Sequence, residues 1–280
     1  MRTALLLLAL SGAANAESGP ASPVAVLSSD SAHYRQALDG FTEAWGSTVT
    51  VLSLGEVPPP QAWAFVAIGS KAAARRWPRD AVVVSCLAPS ASAGDGAALT
   101  RVSLLPDPAI LVARLRALAP KLRVLRVLWS SESAREDAEA LVDAGENQGL
   151  VVLSERIDPP SLLPERLRGL GDPTDGLWLM PDPALVNEQS FATVREYAAA
   201  RRIPFFGPTE GLAERGAAAT VSVTFHEMGR AAALALRARL SGRPGPETVR
   251  AARVTVTVNG PAARAAGLGP RFVGADKVLP

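Results

Sequence analysis

The 280-residue chain contains one cysteine, two histidines and two tyrosines. One cysteine cannot form an intramolecular disulfide, so the folded chain must depend on its apolar core. An acid–base pair of imidazoles would require His33 and His226 to converge from distant segments. His226-Glu227 lacks the second histidine of the zinc-binding HExxH motif. We therefore predict no metal site and no cofactor.

Other catalytic signatures are also missing. The chain has neither the GxSxG turn of serine hydrolases nor the GxxxxGK[ST] loop that binds nucleotide phosphates. Gly94-Asp95-Gly96 lacks the third glycine and the preceding strand that a dinucleotide site requires. Asp172 and Asp175 flank a predicted turn, where carboxylates commonly stabilise the turn itself. We predict that the chain is not an enzyme.

Runs of like charge are absent as well. The sequence has 29 basic and 27 acidic residues, and the two kinds are interspersed throughout. Nucleic-acid binding therefore has no electrostatic support. Hydrophobic residues make up 48% of the chain, which is enough to bury a large core.

The N-terminus has the pattern of a secretory signal peptide over residues 1–16. Arg2 supplies the positive charge, Ala4 to Leu10 form a short apolar segment, and Ala14-Asn15-Ala16 is a small-residue cleavage site. Seven apolar residues are too few to span a bilayer, although a short N-terminal membrane anchor is the alternative interpretation. No cysteine follows the apolar segment directly, so we expect a periplasmic protein without a lipid anchor.

Short apolar runs alternate with helical patterns along the rest of the chain, which predicts an α/β fold. Continuous apolar strands separated by helices indicate parallel sheets with both faces covered. Two such series suggest two Rossmann-like lobes. We assign residues 23–120, with about 224–251, to an N-terminal lobe, and residues 121–223, with about 252–280, to a C-terminal lobe. The first crossing between them is expected at Ala119 to Leu122.

Ligands of open α/β sheets bind beyond the carboxyl ends of the strands. Backbone N–H groups there can hold a carboxylate, a carboxylate can hold an ammonium group, and an aromatic ring can form a wall. The candidate ligand-binding residues at these positions are Ser28, Ser29, Asp30, Tyr34, Gly69, Ser70, Cys86, Asp182, Thr209 and Glu210.

Several of these candidates have an equally simple structural interpretation. Ser28-Ser29-Asp30 has the composition of a helix cap, and Gly69-Ser70 that of a tight turn between a strand and a helix. Tyr34 has helical spacing with other apolar residues, which is typical of a core position. Asp182 and Glu210 each have the character of helix-capping residues. The sequence leaves these alternatives open.

Several segments carry a family resemblance through their order and spacing: Val24–Asp30, Tyr34–Phe41, Ala67–Ala73, Leu177–Pro183, Arg202–Leu212 and Ser222–Arg230. They resemble the substrate-binding proteins of ABC transporters of the tryptophan/tyrosine type. The resemblance implies a type I periplasmic-binding fold, with two lobes, a three-crossover hinge and a small ligand between the lobes. It also implies delivery of that ligand to a membrane permease.

We therefore predict the periplasmic solute-binding component of an ABC-type importer, a monomer that binds a small molecule between its lobes, with an amino acid or a related metabolite as one candidate. One segment departs from the family pattern. Relatives usually read Met-Val-x-Asp/Asn-Pro after the fourth strand, whereas this chain reads Cys86-Leu87-Ala88-Pro89-Ser90. The departure motivates an alternative prediction, a periplasmic ligand-sensing or partner-binding module that no longer serves transport.

Overall fold

A computed structural model describes residues 22–89, 91, 98–171 and 173–280. The predicted signal peptide over residues 1–16 lies outside the described residues. Within those residues the chain forms two sheets covered by helices, which confirms the predicted α/β class. No described helix combines the length and the apolar character needed to cross a membrane.

The first sheet is parallel throughout its described strands. These are β1 (Val24–Leu27), β2 (Thr50–Ser53), β3 (Ala64–Ile68), β4 (Val82–Cys86), β5 (Ala98–Val102) and β11 (Thr248–Val249), in the order β11-β5-β4-β3-β1-β2. Every residue of β1 and β3 is buried, whereas exposed and half-buried residues alternate in the edge strand β2. The continuous apolar runs therefore form the centre of the sheet, as parallel sheets with two covered faces require.

The second sheet is parallel except for one antiparallel pair. Its described strands are β6 (Val124–Trp129), β7 (Val151–Arg156), β8 (Gly176–Leu179), β9 (Phe205–Gly207), β10 (Ala219–Ser222), β12 (Thr255–Asn259) and β13 (Lys277–Leu279), in the order β13-β12-β10-β9-β8-β6-β7. Strands β10 and β12 are antiparallel, so the amino ends of β12 and β13 lie at the same edge as the carboxyl ends of the other strands.

The helices follow the strands in alternation. They are α1 (Ala32–Trp45), α2 (Ser70–Ala73), α3 (Pro108–Leu118), α4 (Arg135–Asn147), α5 (Leu163–Arg168), α6 (Glu188–Arg201), α7 (Glu210–Glu214), α8 (Phe225–Leu240) and α9 (Gly260–Ala265). The apolar pattern of the sequence did not predict α9, β11 or β13. These elements are short, so their periodic signal is weak.

Two glycines allow α1 and α8 to pack in direct backbone contact on the first sheet. A Cβ atom on Gly40 would lie 1.9 Å from the carbonyl oxygen of His226, and one on Gly229 would lie 1.8 Å from that of Ala37. No side chain fits at such distances, so only glycine permits this approach. Helix α8, which follows β10 of the second sheet in sequence, is thereby fixed to the first sheet.

The chain passes between the two sheets three times. The connections are residues 103–107 between β5 and α3, residues 223–224 between β10 and α8, and residues 250–254 between β11 and β12. The first crossing precedes α3, not Ala119 to Leu122 as predicted. Leu111, Leu115 and Leu118 of α3 pack in the core of the second lobe, because the helix lies against α4.

Candidate functional site

At the carboxyl edge of the first sheet, Ser28, Tyr34 and Gly69 pack against one another; we call them the first-lobe cluster. Gly69 has a φ of 94°, which favours glycine. A Cβ atom there would lie 2.6 Å from Ser28 Oγ and 2.7 Å from Tyr34 Cζ. Ser28 and Gly69, which are 41 residues apart in sequence, therefore meet at one point, and the absence of a side chain on Gly69 leaves room for the tyrosine ring.

Ser28 forms hydrogen bonds with β3 and α2. Its Oγ atom accepts a hydrogen bond from the backbone N–H of Ala72 at 2.8 Å, and its own N–H donates to Ile68 O at 2.9 Å. One of the N–H groups at the start of α2 is thus already bound by the protein. Ser70 and Lys71, which open α2, are exposed.

Helix α1 is not capped by Ser28, Ser29 or Asp30. Ser31 occupies the N-cap position, and its Oγ atom accepts the N–H of Tyr34. Asp30 forms an exposed ion pair with Arg35 at 3.2 Å, an interaction that contributes little stability. The capping interpretation of these three residues is therefore wrong, and ligand contact by exposed Ser29 and Asp30 stays a prediction.

Tyr34 is half-buried, with part of its ring packed against the first-lobe core. Next to it, His33 contacts Phe225 of α8 edge-on, with 4.7 Å between ring centroids. The first turns of α1 and α8 therefore present an aromatic surface at the carboxyl edge of the sheet. Sequence reasoning missed Phe225, because its contact depends on the packing of α1 against α8.

The prediction for Cys86 is corrected by the structure. Its side chain is fully buried in the first-lobe core, and this burial raises the pKa of the thiol to about 12. Only the backbone carbonyl reaches the cluster, where it accepts the N–H of Gly69 at 2.9 Å. Cys86 therefore supports the position of Gly69, and its thiol does not contact the cleft.

Asp182 is buried, and backbone donors occupy its carboxylate. Oδ2 accepts the N–H groups of Ser130 and Ser131 at 2.6 and 2.7 Å, and Oδ1 accepts that of Ala184 at 2.9 Å. The side chain joins the loops that follow β6 and β8. A ligand would have to break these bonds to use the carboxylate, so the predicted ligand contact is replaced by a structural role.

Thr209 and Glu210 lie at the carboxyl end of β9. Thr209 is exposed and precedes α7, and Glu210 is the first residue of that helix. Glu210 Oε1 lies 2.5 Å from Lys277 Nζ, and this hydrogen bond and the negative charge of Glu210 raise the pKa of Lys277. Sequence reasoning missed Lys277, because β13 is short and its neighbour across the edge is 67 residues away.

A charged network, which we call the hinge network, connects the two lobes beside the crossings. Asp137 of α4 accepts hydrogen bonds from Ser103 Oγ at 2.7 Å and from Arg250 Nη2 at 2.6 Å. Glu136 pairs with Arg101 at 3.5 Å and with Arg250 at 3.4 Å. Since Ser103 and Arg250 belong to two different crossings, one buried carboxylate holds both to the second lobe.

A cavity of about 20 Å³ lies between the lobes beside this network. It is lined from the first lobe by Arg101 and Ser103 and from the second by Asp137, Pro181 and Asp182. The volume suffices for roughly one water molecule. This cavity is therefore too small for a metabolite in this conformation.

Two sheets joined by three crossings, with their carboxyl edges forming the inter-lobe surface, define a two-lobed fold of the periplasmic-binding type I class. Residues 102–268 match the sequence model of the family described as ABC transporter substrate binding protein. The chain belongs to this family, which confirms the resemblance read from the sequence. No curated protein sequence matches the chain.

Solved structures agree on the fold. A ligand-free, open substrate-binding protein with adhesive properties from Clostridium difficile is similar with a TM-score of 0.61 and 14% identity, covering 92% of this chain and 99% of that one. A domain from Streptococcus pneumonia in complex with L-Trp has a TM-score of 0.59, 15% identity and the same coverage. At such low identity these similarities describe the architecture alone.

Proposed function

We propose that the protein is the exported solute-binding component of an ABC-type importer, and that it binds a small molecule between its lobes and delivers it to a membrane permease. Family membership supports the binding role, and the signal-peptide pattern over residues 1–16 supports export. The observation that carries the proposal is the first-lobe cluster, where the half-buried Tyr34 and the exposed residues that open α2 lie at the edge used by ligands of this fold class.

The proposed contacts follow from exposure. Ser29, Asp30, Tyr34 and Ser70, which are exposed or half-buried, would face the ligand from the first lobe, and Thr209 and Glu210 from the second. Gly69 is buried and its N–H donates to Cys86, so it would support the turn without contacting the ligand. Cys86 and Asp182 are excluded because their side chains are buried and in use. A compact zwitterion such as an amino acid fits this set: N–H groups and Lys71 for its carboxylate, Tyr34 for its body, and Asp30 or Glu210 for its ammonium group.

The test is a thermal-shift screen of residues 17–280 against amino acids and related metabolites, followed by titration calorimetry of the compounds that stabilise. A ligand with a Kd near ~1 μM should stabilise the protein by several kcal/mol at saturation. We expect Tyr34→Ala to weaken binding about tenfold or more, while Gln36→Ala, an exposed change two residues along α1, leaves it unchanged. Equal affinity of both variants would refute the proposed site.

The transport role needs a separate measurement, because a sensing module would bind ligand equally well. The protein should raise the ATPase activity of its permease complex in liposomes only when ligand is present. Ligand binding without any such stimulation would favour the alternative of a sensing or partner-binding module.

A further inference from the structure

A second concave site lies at the opposite edge of the second sheet from the inter-lobe surface. Its lining comes from the segments that lead into the amino ends of β6, β8 and β9, together with residues 266–269 after α9. The cavity has a volume of about 440 Å³, which is within the range of small-molecule sites. Since the proposed solute would bind at the carboxyl edge, this site is separate from the proposed function and does not depend on it.

The floor of this cavity, which we call the distal pocket, is apolar. Leu118 and Leu122 are almost fully buried beneath it, and Ile203, Pro204 and Leu268 complete the apolar lining. Ile203 and Leu268 are only half-buried, so an apolar body that covers them would gain free energy by removing their surface and its own from water, at about 25 cal/mol per Å² of apolar surface. The floor therefore selects a ligand with a hydrophobic body.

The rim of the distal pocket is positive. Lys121 and Arg202 both line it and are exposed. No carboxylate of the described residues pairs with either cation. The acidic residue of the lining, Asp175, is already engaged, because its Oδ2 atom accepts the N–H groups of Arg123 and Val124, each at 2.9 Å.

Arg202 has an unusual backbone. It follows α6 with a φ of 56°, a left-handed conformation that usually favours glycine. A glycine would end the helix with less strain but would leave no charge at the rim. Arg202 thus adopts a costly backbone conformation and places beside an apolar cavity a guanidinium that pairs with no carboxylate of the described residues.

We infer that the distal pocket binds a compact amphipathic anion, a molecule with an aromatic or short aliphatic body and one carboxylate or sulfonate group. The apolar body would cover Ile203 and Leu268, and the acidic group would lie between Lys121 and Arg202. Charge-assisted hydrogen bonds to these two cations would fix the orientation of the anion.

The probe for the test is 8-anilinonaphthalene-1-sulfonate, whose fluorescence rises in apolar sites, with octanoate as the competitor. Gly269 lines the pocket, and a Cβ atom there would meet nothing within 4 Å, so Gly269→Phe should fill the pocket without a clash. Gly55 is equally unobstructed but lies in the first lobe, so Gly55→Phe is the matched control. We expect Gly269→Phe to weaken probe binding about tenfold or more and Gly55→Phe to leave it within about twofold.

A second pair of variants tests the charges. The double change Lys121→Gln and Arg202→Gln should weaken binding of the probe and of octanoate by about tenfold, whereas Arg79→Gln with Arg243→Gln should not. Thermal melting of each variant checks that it is folded. The inference is overturned if the wild type binds neither anion with a Kd below about 1 mM. It is also overturned if Gly269→Phe and the double variant Lys121→Gln, Arg202→Gln bind both anions as tightly as the wild type does.

Discussion

The hinge network and the first-lobe cluster both lie between the lobes, but they use their polar groups in opposite ways. In the hinge network, each oxygen of Asp137 accepts a hydrogen bond from a crossing segment of the chain. In the first-lobe cluster, the Ser28 hydroxyl is bound to α2, whereas Tyr34 is half-buried and Ser70 and Lys71 are exposed. The difference supports the proposal that the first-lobe cluster contacts a ligand and that the hinge network holds the lobes together.

The largest expected effect comes from breaking the hinge network. Asp137→Ala would leave Arg250 partly buried without its closest partner, and loss of one member of a buried ion pair commonly costs about 3–5 kcal/mol. Glu139→Ala removes an exposed carboxylate from the same helix and should change the free energy of unfolding by less than about 0.5 kcal/mol. Urea unfolding followed by circular dichroism measures both values. Similar small losses for both variants would contradict the structural role of Asp137.

A smaller effect is expected from Gly69→Ala in the first-lobe cluster. The positive φ and the approach of Ser28 and Tyr34 should together cost about 1–3 kcal/mol of stability. The new methyl group should displace the Tyr34 ring and so weaken ligand binding. Asp137→Ala should not change the affinity at temperatures where that variant is folded. Gly55→Ala, at an unobstructed position, is the control. Calorimetric titration of both variants checks the prediction, and unchanged affinity in Gly69→Ala would argue against the cluster as a ligand site.

The smallest effect on binding is expected at Cys86, directly beneath the cluster. With a pKa of about 12 the thiol is protonated at neutral pH, and it is buried, so a disulfide reagent should not modify it in the native protein. It should react fully in 6 M guanidinium. Cys86→Ala should cost about 1 kcal/mol of stability and leave ligand affinity within about twofold. Rapid labelling of the native protein would show that the thiol faces the cleft after all.

The sequence predicts the buried central strands of the first sheet well, because β1 and β3 are continuous apolar runs that can be recognised from the local sequence alone. The sequence does not predict features that depend on contacts between distant segments. The assignment of α3 to the first lobe was wrong. The leucines of α3 could be buried in the core of either lobe, and only the packing of the helix against α4 shows that they belong to the second. The hinge network joins Asp137 to Arg250, which are 113 residues apart, without any motif to indicate the contact.

The candidate site was also only partly predictable from the sequence. The fold class predicts that ligands bind at the loops that follow the strands, so the sequence alone indicates Ser28 and Gly69 as candidate residues. The roles of Asp182 and Cys86 were not predictable, because a carboxylate or thiol at a strand end has the same sequence signature whether it faces a ligand or the core. Burial and hydrogen bonding distinguish the two cases.

The most direct test of the account is a crystal structure of residues 17–280 with a compound that stabilises the protein in the thermal-shift screen. We predict that the compound lies between the lobes, with its body against Tyr34 and its polar group at the N–H groups of Ser70 and Lys71. The loop at Thr209 should be closed over it. A compound bound away from this surface, with the first-lobe cluster in contact with solvent alone, would contradict the account.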